Sequence, residues 1–162
     1  MMKRVIAAVV ILAFALCMAG CGASDQTEES NTDQTAAATE TQRETMEMKL
    51  LIGEEEVTVD WENNDAVAAL QESVGEEPLT IDMSMYDDFE QVGDLGMSLP
   101  ADDEQITTEA GDIMLYSGDK IVVFYGSNTW DYTRLGKVTD KSPEEMAEQL
   151  GQGDVTITIT QE

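Results

Sequence analysis

Ile113-Met114-Leu115-Tyr116-Ser117-Gly118-Asp119-Lys120-Ile121-Val122-Val123-Phe124-Tyr125 is two β-prone apolar segments joined by a turn. Ser, Gly and Asp supply the turn, because they tolerate backbone angles that branched residues avoid. The flanking residues are β-branched or aromatic and favour a strand over a helix. A β-prone stretch of this kind around Val122 pairs edge to edge with other chains unless its edges are covered. A sheet closed on itself removes those edges.

Segments on either side repeat the pattern. Met46 to Ile52 and Glu56 to Trp61 flank a turn at Gly53, with Val57, Val59 and Trp61 on one face, which predicts a hairpin. Asn63-Asn64-Asp65 offers capping side chains to a helix carrying Val67, Leu70 and Val74 and stopped by Gly75. Leu79 to Tyr86 alternates, with Leu79, Ile81, Met83 and Met85 on one face, and Phe89 to Leu95 predicts another short strand. Arg134 to Val138 is short and β-like. Ser142-Pro143-Glu144-Glu145 has a cap, a proline at the first helical position and a capping-box glutamate, and Met146 and Leu150 face inward before Gly151. Val155 to Thr160 is a last alternating strand. Seven or eight short strands with two helices, and no βαβ rhythm, predict a mainly β, closed or nearly closed barrel with helices over its ends.

The amino terminus reads differently. Lys3 and Arg4 precede an uncharged apolar run, Val5 to Met18, too short to span a membrane comfortably, and Met18-Ala19-Gly20-Cys21 follows. Small residues before a cysteine suit a signal peptidase that needs a narrow side chain at the cut and a thiol that accepts a diacylglyceryl group. Residues 1–20 are therefore expected to be a lipoprotein signal peptide, with lipidation at Cys21 anchoring the chain to the extracytoplasmic side of a membrane. The alternative is a free or disulfide-bonded Cys21. Beyond it there is no further cysteine. Residues 21–45 are rich in Thr, Ser, Ala, Gln and acids, bury almost nothing, and read as a disordered tether. The domain is assigned to residues 46–162.

The 34 acidic side chains all follow Cys21 and face only eight basic ones in the whole chain, giving a formal net charge of −26. Such a surface repels phosphate backbones, which excludes nucleic acid as a partner. It serves solubility, or it recognises a cationic ligand. With no histidine and no cysteine after Cys21, neither a Ser–His–Asp nor a Cys–His site is available, nor an ordinary zinc site. No glycine-rich phosphate loop is present. The clusters Glu54-Glu55-Glu56, Asp87-Asp88 and Asp102-Asp103-Glu104 lack the spacing of a calcium loop and read as solvated turns. No catalytic residue, cofactor or metal is assigned. Ser127 to Arg134 reads as a polar, turn-prone loop that carries Trp130 and Tyr132. Such aromatics plug a barrel end or contact a ligand. Met83, Met85, Met97 and Phe89 fill a core or line a groove.

Three stretches resemble cyclophilin-like proteins of bacteria. Ala110 to Tyr116 with Lys120 to Gly126 is similar to a pair of barrel strands. Arg134-Leu135-Gly136-Lys137-Val138, with the helix and strand after it, is similar to the end of that barrel. Met83 to Gly93 resembles a segment of small cyclophilin-like lipoproteins. The resemblance implies a closed eight-stranded cyclophilin-like barrel capped by two short helices. It does not carry prolyl isomerase activity across. That chemistry uses an arginine against the proline amide nitrogen to lower a twisting barrier of about 18–20 kcal/mol. The matching segment here offers Asp82, Asp87 and Asp88 instead, and the domain's arginine, Arg134, lies in another strand. Phe89 and Gln91 resemble the pocket's Phe and Gln. The reading is a non-catalytic lipoprotein module that binds a peptide or small molecule where Tyr86, Phe89, Gln91, Trp130, Tyr132 and Arg134 meet. The alternatives are a peptidyl-prolyl isomerase and a structural envelope lipoprotein.

Overall fold

A computed structural model describes residues 47–75 and 77–162. The expected signal peptide, Cys21 and the tether lie outside the described residues. What is described forms a nearly closed β-barrel with two short helices. The strands are β1 (Met48–Ile52), β2 (Glu55–Val57), β3 (Val59–Trp61), β4 (Leu79–Tyr86), β5 (Glu90–Asp94), β6 (Glu104–Thr107), β7 (Asp112–Tyr116), β8 (Lys120–Phe124), β9 (Thr129–Val138) and β10 (Val155–Gln161). Helix α1 spans Asp65–Val74 and α2 spans Pro143–Leu150. Nine strands follow the order β2-β1-β10-β4-β5-β8-β7-β9-β3, and β6 pairs with β9 off that path. All pairings are antiparallel.

The ends of this path are one segment. Only Thr58 separates β2 from β3, and at that residue the chain leaves its partner β1 and takes up β9. Thr139 donates its backbone N–H to the Thr58 carbonyl at 2.8 Å, so the bend keeps its backbone satisfied. The expectation of eight strands becomes nine for this reason. Gly136 makes the seam possible. A Cβ there would stand 2.8 Å from the Asp60 carbonyl oxygen and 3.1 Å from Val59 Cγ1. Only a residue without a side chain lets β3 approach β9 this closely.

The hairpin expected over Ile113 to Tyr125 is β7–β8, with its turn at Ser117 (φ 53°) and Gly118 (φ 76°). Strand side chains alternate between faces, so an unbroken apolar run buries both. Ile113, Leu115, Ile121 and Val123 join the interior with Leu50, Ile81, Met83, Leu135, Ile157 and Ile159. Met114, Val122 and Phe124 point the other way and form a second cluster with Tyr132, flanked by Phe89, Val92 and Ile106.

The helices close the interior. Asn64 Oδ1 accepts the Val67 N–H at 2.9 Å to cap α1, which buries Ala66, Val67, Leu70 and Val74. Ser142 and Glu145 form the capping box of α2, which buries Met146 and Leu150. Three expectations change. Residues 129–133, read as a loop, continue β9, because β6 supplies their partners from Glu104↔Tyr132 to Thr107↔Thr129. Strand β6 was not expected, since Asp102-Asp103-Glu104 reads as a turn. Met85, expected beside Met83 in the apolar face, is 39% exposed, because β4 runs out past the core at that point.

Gly136→Ala is expected to lower stability by about 1–3 kcal/mol, as overpacked sites do. The urea unfolding midpoint measures it, and an unchanged midpoint would mean that β3 moves away from β9 without loss.

Candidate functional site

The second apolar cluster lies on the outer face of the barrel wall. On β5, Glu90 pairs with Phe124 and Val92 with Val122, so Glu90 and Val92 share that face. On β4, Tyr86 stands opposite Glu90. On β9, Trp130 and Tyr132 follow at alternate positions. Together they shape a groove of about 570 Å³ whose walls include Tyr86, Phe89, Glu90, Tyr116, Trp130 and Tyr132.

The rings are ordered by contact. Phe89 stacks with Phe124 at 6.5 Å between centroids, and Tyr132 meets Phe124 edge-on at 5.6 Å and Tyr116 at 6.0 Å. Asn128 Nδ2 donates to the Tyr132 hydroxyl at 3.1 Å. Tyr132 is buried, whereas Tyr86 is 58% and Trp130 56% exposed at the rim. Trp130 therefore does not plug the barrel. Lys120 also reaches the groove, but its ammonium lies 3.0 Å from Asp119 and 3.8 Å from Asp94.

Glu90 is the feature that sequence reasoning missed. It is only 6% exposed, and its Oε2 has no hydrogen-bond partner. Burial, and secondarily the Asp87 carboxylate, push its pKa up to about 7. Asp87 is held nearby by a strained turn. Asp87 (φ 46°) and Asp88 (φ 58°) both adopt left-handed backbone between β4 and β5, at a cost of about 1–2 kcal/mol each. Phe89 then docks its carbonyl against the Tyr125 and Gly126 N–H groups, each at 2.9 Å. Burial raises the phenol pKa of Tyr132 and of Tyr125, with Glu90 adding to both and Asp88 to Tyr125.

Of the six residues named from the sequence, Tyr86, Phe89, Trp130 and Tyr132 meet in this groove. Gln91 and Arg134 do not. Gln91 follows Glu90 and so faces the interior, where its Nε2 donates to the Leu150 carbonyl at 2.6 Å and the Gly153 carbonyl at 2.7 Å. It pins the end of α2. Arg134 lines a separate cavity of about 600 Å³ with Glu62, Asn64, Asp65, Asp102 and Glu104. Its guanidinium is bound to Asp112 at 3.3 Å and lies 3.9 Å from Glu62. The Asp112 side chain is 3% exposed, also holds Lys137 at 3.1 Å, and accepts the Glu109 N–H at 3.0 Å. Arg134 is thus committed to a buried carboxylate that needs it. Among the described residues, no group of three or more acidic side chains is placed to hold a metal ion.

A family model, the cyclophilin-like family, matches residues 50–160. Among solved structures, that of McbB in complex with tryptophan is similar at 11% identity and a TM-score of 0.48, over 70% of this chain and 44% of that one. The chain thus spans less than half the length of that protein. No curated protein sequence matches.

Glu90 fixes the sign of one pH effect. Its pKa in the folded state lies above the usual carboxylate value of 4.5, so folding favours the protonated acid. That preference is fully present below pH 4.5 and is lost as pH rises toward 7, at a cost of up to about 3 kcal/mol. Glu90→Gln is therefore expected to stabilise the protein relative to wild type at pH 8 and not at pH 4. Urea denaturation of the pair at both pH values measures it, and an equal difference at both would place the ionised carboxylate in solvent.

Proposed function

Because the chain belongs to the cyclophilin-like family, we propose that it is a binding module held by lipid on Cys21 at the extracytoplasmic side of a membrane. Its ligand is a peptide or small molecule, and it does not catalyse prolyl isomerisation. The observation that carries the reading is the outer groove, where Tyr86 and Trp130 stay more than half exposed above a buried apolar face. Large exposed aromatics beside a concavity are a costly surface for a soluble domain and a favourable one for a ligand.

The reading without catalysis rests on charge. The groove contains no guanidinium, its ammonium at Lys120 is paired with two carboxylates, and a buried acid, Glu90, lines it. A twisting amide needs a donor at its nitrogen, and an anionic carboxylate works against that. Display outside the cell rests on the residues around Cys21, which lie beyond the described part.

Chemical-shift mapping of the full chain with a library of small aromatic fragments is expected to move Tyr86, Phe89, Trp130 and Tyr132 together, leaving Gln91 still. A protease-coupled assay is expected to give no acceleration of proline isomerisation, for wild type and Arg134→Ala alike. Acceleration by wild type that vanishes in Arg134→Ala would overturn the reading. Cys21→Ser is expected to move the protein from the membrane fraction to the soluble one, and retention in membranes would remove the lipid anchor.

A further inference from the structure

We infer that the groove takes a small organic ammonium ion, with the Glu90 carboxylate as its buried counter-ion and the surrounding rings as its walls. This rests on the binding role proposed above and names the class of ligand. Three observations on the groove carry it.

Glu90 is nine-tenths buried, it lines the groove, and one of its oxygens has no partner. A buried polar atom without a partner is uncommon and costs stability. A ligand that donates to that oxygen removes the cost, and a cation removes it most effectively, because it also favours the ionised form. The aromatic walls suit the same ligand. Tyr86, Phe89, Trp130 and Tyr132 line the same groove as the carboxylate. Ring faces attract an ammonium group within about 6 Å of the centroid, most strongly when it is desolvated. The third observation is the local charge balance. Lys120 of β8 is occupied by Asp119 and Asp94, so it does not compete for Glu90. Asp87 stands beside Glu90 and adds negative potential.

Binding is then linked to protons. The titratable and charged groups around Glu90 are Tyr86 opposite it on β4, Asp87 from the β4–β5 turn, Tyr125 after β8 and Tyr132 on β9, with Lys120 and Tyr116 across the groove. Burial moves the phenols of Tyr125 and Tyr132 further from neutrality. Glu90, with its pKa near 7, is the group that changes charge in this range. The ionised carboxylate is the form that pairs with an ammonium ion. The free protein must give up the Glu90 proton to bind, so affinity falls as pH drops below 7.

Calorimetric titration of the full chain with phenethylamine, 3-phenylpropan-1-ol and hydrocinnamate at pH 8 and pH 6 tests this. The three probes share a phenyl body and are cationic, neutral and anionic. Phenethylamine is expected to bind best at pH 8. At pH 6 its affinity falls about tenfold, as the ionised fraction of Glu90 falls. In Glu90→Gln it weakens about ten- to hundredfold at pH 8 and loses its pH dependence. The wild-type pH series stands without the variant. Equal binding of the alcohol and the amine, or an amine affinity untouched by Glu90→Gln and by pH, overturns the inference. If the alcohol or the acid binds at least as tightly as the amine while Trp130 fluorescence responds, the binding role survives and the ammonium ligand does not. If no probe binds and Trp130 stays silent, both fall.

Discussion

Burial of both faces of the β7–β8 hairpin governs this molecule. An ordinary antiparallel strand hides one face and wets the other, and its sequence alternates accordingly. Here Ile113, Leu115, Ile121 and Val123 fill the barrel, while Met114, Val122 and Phe124 require cover on the outside. The cover comes from the extension of β9 beyond the barrel, which brings Tyr132 onto Phe124, and from Ile106 of the β6 strand that pairs with that extension. Where this cover ends, the groove begins. The site follows from an apolar face that the chain covers only in part.

Much of the fold was legible because the barrel's own demands are local. Alternation marked β4 and β10, the Asn64 and Ser142 caps marked both helix starts, and the unbroken run at Ile121 to Phe124 marked the wall. The parts that were not legible depend on distant partners. Thr129 to Thr133 is polar enough to be a loop, and it is a strand because Glu104 to Thr107 lies against it. Glu104 to Thr107 is a strand for the same reason. Neither segment specifies itself, and each is specified by the other. The bend at Thr58 is also hidden, since Glu55 to Trp61 reads as one strand until β1 and β9 compete for it.

The site was legible for rings and not for charges. Exposed aromatics in a polar segment are rare, and Trp130, Tyr132, Tyr86 and Phe89 line one groove. Glu90 is one acid among 34, and nothing in its type sets it apart. Strand parity was the available signal. Met83 and Gly93 face inward together, which puts Gln91 inside and Glu90 outside, against Phe124. The resemblance drew attention to Gln91, one residue away and on the opposite face. In a strand, that single step exchanges a residue in the site for a residue in the core.

The scarcity of bases sharpens the same point. Lys49, Lys120, Arg134, Lys137 and Lys141 each stand against at least one carboxylate in the described residues. Arg134 and Lys137 converge on Asp112, and losing either leaves a buried acid undercompensated, so neither is free to turn toward a ligand. The cations among the described residues are consumed in holding strands together, while many acids of the same residues have no ion-pair partner. Glu90 differs from those acids in one respect. The others are mostly hydrated at the surface, where water screens them, whereas its carboxyl lies in an apolar wall that screens little. The same negative charge that merely keeps the surface soluble becomes, at that depth, a strong preference for a positive partner.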